Sequence, residues 1–188
     1  DPARLHAVLA PLLSGSRPLR GVVHAAGVLH ERLLVQHDWG SFARALPPKL
    51  AGAWNLHVAT RSAPLDLFVL CSSGCALLGG VGSSSYAAAN WFLGALAHHR
   101  RARGLPALCI DWGAWEDFGM ARALGRRRHA QWQHVGIGTM EPAQALAALG
   151  EVLGGPHPQL GIMPMRWAQV PAQPLLAQIH EELHGPTV

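Results

Sequence analysis

One tyrosine and one lysine occur in 188 residues: Tyr86, in the run SSSYAAAN at 83–90, and Lys49. Every other strongly basic residue is an arginine. Lysine brings a compact ammonium that can sit beside a phenol. There it favours the phenolate and lowers the tyrosine pKa from its usual value of about 10. A tyrosine so placed can give a proton near neutral pH. Asn90 follows Tyr86 by four residues, so the two share a helix face. Ser73 ends an apolar run, where its hydroxyl can meet a ligand. Alone, a tyrosine in an alanine-rich helix is a packed aromatic and a single lysine is a solvated one. The strand-end serine and the Tyr-x-x-x-Asn spacing together favour a proton-donating site.

These residues need elements to hold them. Apolar runs at 21–26 (GVVHAA), 65–71 (LDLFVLC) and 105–111 (LPALCID) are expected to be strands, with a weaker one at 159–164. Helices are expected over 39–60, broken at Pro47-Pro48, over 86–103, alanine-rich with arginines at its end, and over 141–153, with Thr139 as N-cap and Pro142 in the first turn. Apolar strands alternating with helices predict an α/β fold, a doubly wound parallel sheet covered on both faces. Ligands of such folds sit beyond the carboxyl ends of the strands. The residues there are Ala25-Ala26-Gly27, Ser72-Ser73-Gly74 and Trp112-Gly113, small or polar as a cofactor crevice requires. After Trp167, a proline-bearing tail at 168–188 reads as a linker with a short helix near 175–179.

Composition narrows the function. Hydrophobic residues make up 49 % and charged residues 14 %, enough to bury a core and too apolar for disorder. The net charge is +4, but apart from Arg126-Arg127-Arg128 and Arg100-Arg101-x-Arg103 the basic residues are scattered. No zinc-finger or RNA-binding aromatic pattern accompanies them, so no nucleic-acid partner is expected. Cys71, Cys75 and Cys109 lie in apolar runs and read as buried reduced thiols; the dispersed histidines complete no four-ligand set, so no metal is expected. No apolar run reaches about 18 residues and no signal-peptide pattern opens the chain. A soluble, cytoplasmic protein with no membrane partner is expected.

The stretches GVVHAAGVL, KLAGAWNLH, FVLCSSGCALLGGVGSSSYAAANWFLGALAHHRRARGLPAL and IDWGAW resemble the ketoreductase domain of modular type I polyketide synthases, a branch of the short-chain dehydrogenase/reductase superfamily. The resemblance covers roughly 18–167. Ordinary members of the superfamily read Tyr-x-x-x-Lys with an asparagine on the preceding helix. The polyketide synthase domains exchange the two, as Asn90 and Lys49 do here, and the intervals from Lys49 to Ser73 to Tyr86 match. The resemblance implies a Rossmann-like fold and NADPH as cofactor. It implies a partner too, an acyl carrier protein bearing a β-ketoacyl phosphopantetheine thioester. It makes Tyr86 the proton donor to the β-keto oxygen and Ser73 a hydrogen-bond donor to that oxygen. Lys49 becomes the group that tunes the tyrosine and positions ribose or a relay water, and Asn90 the orienting residue. Ala25, Ala26 and Gly27 correspond to the turn where the cofactor approaches, Trp112 and Gly113 to the loop beside the nicotinamide, and the segment to about Val135 to a mobile lid.

Three departures accompany it. Asp111 and Ala114 stand where the family more often has Asn and Pro. The acidic Leu-Asp-Asp stereocontrol motif reads Leu29-His30-Glu31 here, which leaves Glu31, with Ser72 and Gly74, as the candidate substrate and stereocontrol residues. The tryptophan of the opposite class is replaced by Leu78. No Gly-rich phosphate turn precedes Gly21, and Gly79-Gly80-x-Gly82 lacks a strand-turn-helix setting. The expectation is therefore the C-terminal catalytic portion of a ketoreductase domain (1–167), lacking its first three strands, with the N-terminal half as a partner. Alone it is expected to bind NADPH weakly and to expose an apolar strand edge. A reductively inactive structural domain and a fatty-acid-synthase-type ketoreductase are the alternatives. A stand-alone reductase or epimerase is disfavoured by the Tyr-x-x-x-Asn exchange.

Overall fold

The computed structural model describes residues 1–116, 120, 129–171 and 173–184. The chain divides into two compact units, Asp1–Trp112 with Gly150–Gly161, and Gly113–Leu149 with Ile162–Val188.

The first unit is built on parallel strands β1 (Gly21–His24), β2 (Leu67–Ser73) and β3 (Leu108–Trp112); with β6 (Gln159–Ile162) they form one four-stranded sheet in the order β1-β2-β3-β6. Here is the parallel α/β arrangement expected from the apolar runs. β1 and β3 are shorter than their runs, and β2 is displaced to Leu67–Ser73. Pro106, which has no N–H to give a ladder, keeps β3 from starting at Leu105. The connections carry α3 (Leu46–Thr60) and α5 (Ser84–Arg101). Both lie on one face. Val22, Phe68, Leu70 and Cys109 from that face meet Ala53 of α3 and Leu93, Leu96 and Ala97 of α5. Right-handed crossovers that step the same way across β1, β2 and β3 must leave both helices on the same side. The sequence pattern predicted cover on both faces, and α3 and α5 supply one of them.

Two expectations about helices change. The break in 39–60 falls at Arg44-Ala45, between α2 (Trp39–Ala43) and α3, and not at the prolines. Pro47 and Pro48 lie in the first turn of α3, where a missing N–H costs no helical bond. An unpredicted α1 (Pro2–Ser14) precedes β1, with Asp1 capping Ala3 and Arg4 N–H and Pro2 opening the first turn. The short α4 (Cys75–Leu78) follows β2. At the far end of α5, Arg100 is wholly buried: its guanidinium lies 3.8 Å from the Phe68 ring centre, Nε donates to Pro106 O and Nη1 to His57 Nδ1. β1 forms one outer edge of the described sheet.

In the second unit β4 (Ala114–Trp115) pairs in parallel with β5 (Thr139–Met140), and α6 (Pro142–Val152) and α7 (Ala177–His184) follow. Thr139 is thus a strand residue paired with Ala114 and not a helix cap; Gln144 Oε1 accepts from Glu141 N at the start of α6. Gly113 begins this unit, and a Cβ on it would stand 2.6 Å from Met163 Cβ. Gly136 has φ +77° and a Cβ there would stand 2.7 Å from Arg166 O. Gly136→Ala is expected to cost about 2 kcal/mol from the left-handed backbone and the backbone clash combined. Thermal unfolding of the variant beside its parent checks it. Residues 117–119 and 121–128, in the stretch expected to act as a lid, lie outside the described residues. Among the described residues no helix is long and apolar enough to cross a membrane, and no group of His, Cys, Asp or Glu is arranged to hold a metal ion.

Candidate active site

Lys49 sits in the first turn of α3, only 2 % exposed. Its Nζ donates to Cys71 O on β2 at 2.8 Å and stands 5.6 Å from the centre of the Tyr86 ring. This backbone bond ties helix to strand and aims the ammonium at the ring face. Burial lowers the Lys49 pKa from its ordinary value, opposed by the neighbouring Cys71, Cys109 and Cys75.

Tyr86 lies in the first turns of α5, 8 % exposed. Burial pushes its phenol up to about 12; Cys75 and Cys71 add to the rise, while Asn90 and Ser73 oppose it by hydrogen bonding. The net fall expected from Lys49 is not seen; burial sets the direction of this shift. The ammonium faces the ring while the phenol has lost water, and loss of water dominates. The phenol is consequently held protonated at neutral pH, the state from which a proton can be given.

Asn90, fully buried one turn on, donates through Nδ2 to Tyr86 O at 2.8 Å. The shared face read from the spacing is therefore a direct contact. Ser73, half-buried at the end of β2, accepts from Cys75 N at 3.4 Å and acts on both the Cys75 thiol and the Tyr86 phenol. Burial pushes the Cys75 thiol up to about 11, so it stays protonated.

The other expected residues are distributed around this centre. Ala25 and Ala26 are exposed and Gly27 half-buried just beyond β1. Trp112 pairs with Ser73, and its carbonyl accepts from Gly74 N at 2.8 Å. Glu31 is exposed on the loop after β1, and its charge reaches the Cys75 thiol. That loop is pinned to the start of α5: Arg32 N donates to Gly82 O, and Ser85 Oγ to His30 O. Ser72 departs from expectation. It is buried, and its Oγ donates to Asn90 O at 3.4 Å, so it belongs to the layer beneath the site. Strand alternation turns Ser72 and Ser73 to opposite faces.

Two residues went unremarked as part of the site. His24 is buried at the end of β1 and its Nε2 donates to Pro48 O at 3.0 Å, one residue from Lys49. Burial and then the Lys49 charge lower its pKa, so it is a neutral prop for the turn that carries Lys49. A histidine inside an apolar strand was the signal. The other is Asp111, wholly buried on β3.

Residues 1–117 match the family model described as the KR domain. A Mycobacterium marinum protein, the phenolphthiocerol synthesis polyketide synthase type I Pks15/1, is 42 % identical over 159 residues, covering 84 % of this chain and 8 % of its own length. A Mycobacterium tuberculosis relative, 39 % identical over 159 residues (84 % of this chain, 10 % of its own), bears the name "Putative inactive phenolphthiocerol synthesis polyketide synthase type I Pks1". A solved structure of an A1-type ketoreductase superposes with a TM-score of 0.87 at 36 % identity, covering 98 % of this chain and 40 % of that one. The chain belongs to the ketoreductase (KR) domain family of modular type I polyketide synthases, with the Rossmann-type fold of short-chain dehydrogenases and reductases. It spans about a twelfth of the length of the Mycobacterium marinum relative.

Proposed function

We propose that this chain carries the catalytic centre of a β-ketoacyl reductase. It reduces the β-keto group of an acyl thioester, held on the phosphopantetheine arm of an acyl carrier protein, to the β-hydroxyacyl thioester during polyketide chain extension. The observation that carries this reading is the convergence from α3, β2 and α5 of Lys49, Ser73 and Tyr86, with the ammonium 5.6 Å from the phenol ring. The donor set fits a nicotinamide cofactor. Exposed Ala25 and Ala26 leave room beyond β1. Among the described residues the Lys49 ammonium uses one of its three donors, on Cys71 O. Ala25, Ala26, Gly27, Lys49 and Trp112 would hold NADPH, which when bound supplies the hydride.

Tyr86 gives its phenolic proton to the carbonyl oxygen, and Ser73 Oγ–H donates to the same oxygen as negative charge gathers there. The adjacent Lys49 ammonium favours the phenolate that the transfer leaves and so offsets part of what burial adds to its pKa. Asn90 holds the turn of α5 under Tyr86 through its bond to the Tyr86 carbonyl. Glu31 and Gly74 border the acyl chain in this reading.

A domain of this fold that no longer reduces is a second reading, favoured by the relative named as inactive. NADPH oxidation in the intact polypeptide, followed by absorbance with a β-ketoacyl thioester, separates the two. Turnover is the expected result. A folded, NADPH-binding protein without turnover would select the non-reducing domain.

A further inference from the structure

Beneath the candidate site runs a buried polar chain of which the steps above use only Asn90. The apolar stripe of Phe68 and Leu70 on β2 and Cys109 on β3 faces α3 and α5. Side chains alternate along a strand, so the next residues on that face are Ser72 and Asp111, which are register partners. Both are buried, Asp111 at 0 % exposure. Gln159 Nε2, on β6, donates to Asp111 Oδ2 at 2.7 Å. The glycine at 94 on α5 makes room for this amide: a Cβ there would stand 2.5 Å from Gln159 Oε1. Ser72, the register partner of Asp111, acts on its carboxyl, and Ser72 Oγ donates to Asn90 O at 3.4 Å. Asn90 in turn donates to Tyr86 O. Four elements, β6, β3, β2 and α5, thus connect Gln159 to the proton donor.

Asp111 Oδ1 and Asn90 Oδ1 are buried with no hydrogen-bond partner among the described residues. An ionised carboxylate only accepts, and no ion pair among the described residues reaches this one. A proton on Oδ1 removes the unpaired buried charge while Oδ2 goes on accepting from Gln159. Burial pushes the Asp111 carboxyl up, opposed by Ser72 and Gln159. The titratable groups around it are the Cys75 thiol from α4 and the Cys109 thiol of its own strand, both raised by burial. Lys49 from α3 acts on both thiols.

We propose that Asp111 is a proton-carrying positioning residue: its neutral carboxyl braces Ser72 and the Asn90 turn of α5, holding Tyr86 in place for transfer, and turnover falls when that carboxyl ionises. The positioning role rests on the reductase reading; the proton on Asp111 rests on the geometry alone.

Asp111→Asn keeps the shape and cannot ionise, while Asp111→Ala removes the brace. In the intact polypeptide kcat is expected to fall as pH rises through the Asp111 pKa, and this limb is absent in Asp111→Asn. Asp111→Ala lowers kcat by about ten- to a hundredfold with KM for the thioester unchanged, as a small misplacement of the donor does. Unfolding measured from about pH 4 to about pH 8 reads the proton without turnover. The folded pKa is raised above the ordinary 3.8. The stability it contributes is therefore present below about pH 4 and lost as pH rises through the folded pKa, so the parent weakens relative to Asp111→Asn. Superimposable kcat profiles for parent and Asp111→Asn, or parental kcat in Asp111→Ala, overturn the positioning role; parallel unfolding curves overturn the proton. A parent without turnover is the failure of the reductase reading and takes the positioning role with it, while the unfolding comparison still decides the proton.

Discussion

Tyr86→Phe is expected to lower kcat for reduction of a β-ketoacyl thioester by about 10²–10⁴-fold, the share that general acid catalysis ordinarily supplies. KM and the unfolding midpoint are expected to stay near the parent's. Phenylalanine keeps the ring that Lys49 faces and removes only the hydroxyl on which Ser73 and Asn90 act. Steady-state NADPH oxidation by the intact polypeptide, with thermal unfolding alongside, checks both halves. The pH dependence follows from the same burial. The donor must be protonated, so its contribution is present below the phenol pKa of about 12 and lost as pH rises toward it. An acid-side limb in the rate is therefore not to be assigned to Tyr86. A Tyr86→Phe enzyme with a tenth or more of the parental rate would remove the phenol from the donor role.

Arg100→Ala is expected to destabilise the first unit by about 3 kcal/mol, through a cavity against Phe68 and two stranded hydrogen-bonding groups, Pro106 O and His57 Nδ1. Arg100→Met fills the space without burying a charge and is expected to cost less, about 1 kcal/mol. Chemical denaturation of the two variants checks the order, and a methionine variant weaker than the alanine one would refute this account. His57 must stay neutral to accept from Arg100. Its folded pKa is lowered from 6.5 by burial first and then by the Arg100 charge, with His99, Arg61 and Arg103 acting the same way. The unfolded chain therefore takes up the proton more readily. Stability is full above about 6.5 and falls as pH drops through the folded pKa. Arg100→Met is expected to shrink that acid loss.

Local patterns made much of this molecule legible. Apolar runs marked β1, β2 and β3 because strands buried in a parallel sheet carry hydrophobic residues on both faces. Alanine content and the four-residue spacing placed Tyr86 and Asn90 on one helix turn, because helix geometry depends on near neighbours in sequence. A single lysine and a single tyrosine were conspicuous as chemistry before any fold was known. Thr139 failed as a cap because a strand partner, Ala114, lies 25 positions away, and no local rule reports such a partner.

The properties that govern reactivity come from distant segments meeting. Lys49 is held by Cys71, 22 residues on, and Asp111 by Gln159, 48 residues on. The phenol was expected to be acidified by a nearby cation, yet packing from α4, β2 and α5 strips it of water and drives its pKa the other way. Residue types and their spacing settle which groups can donate protons and which elements carry them. Which of those groups lose their water, and so hold or release their protons, is settled by the packing of remote segments, since desolvation depends on every atom that replaces solvent.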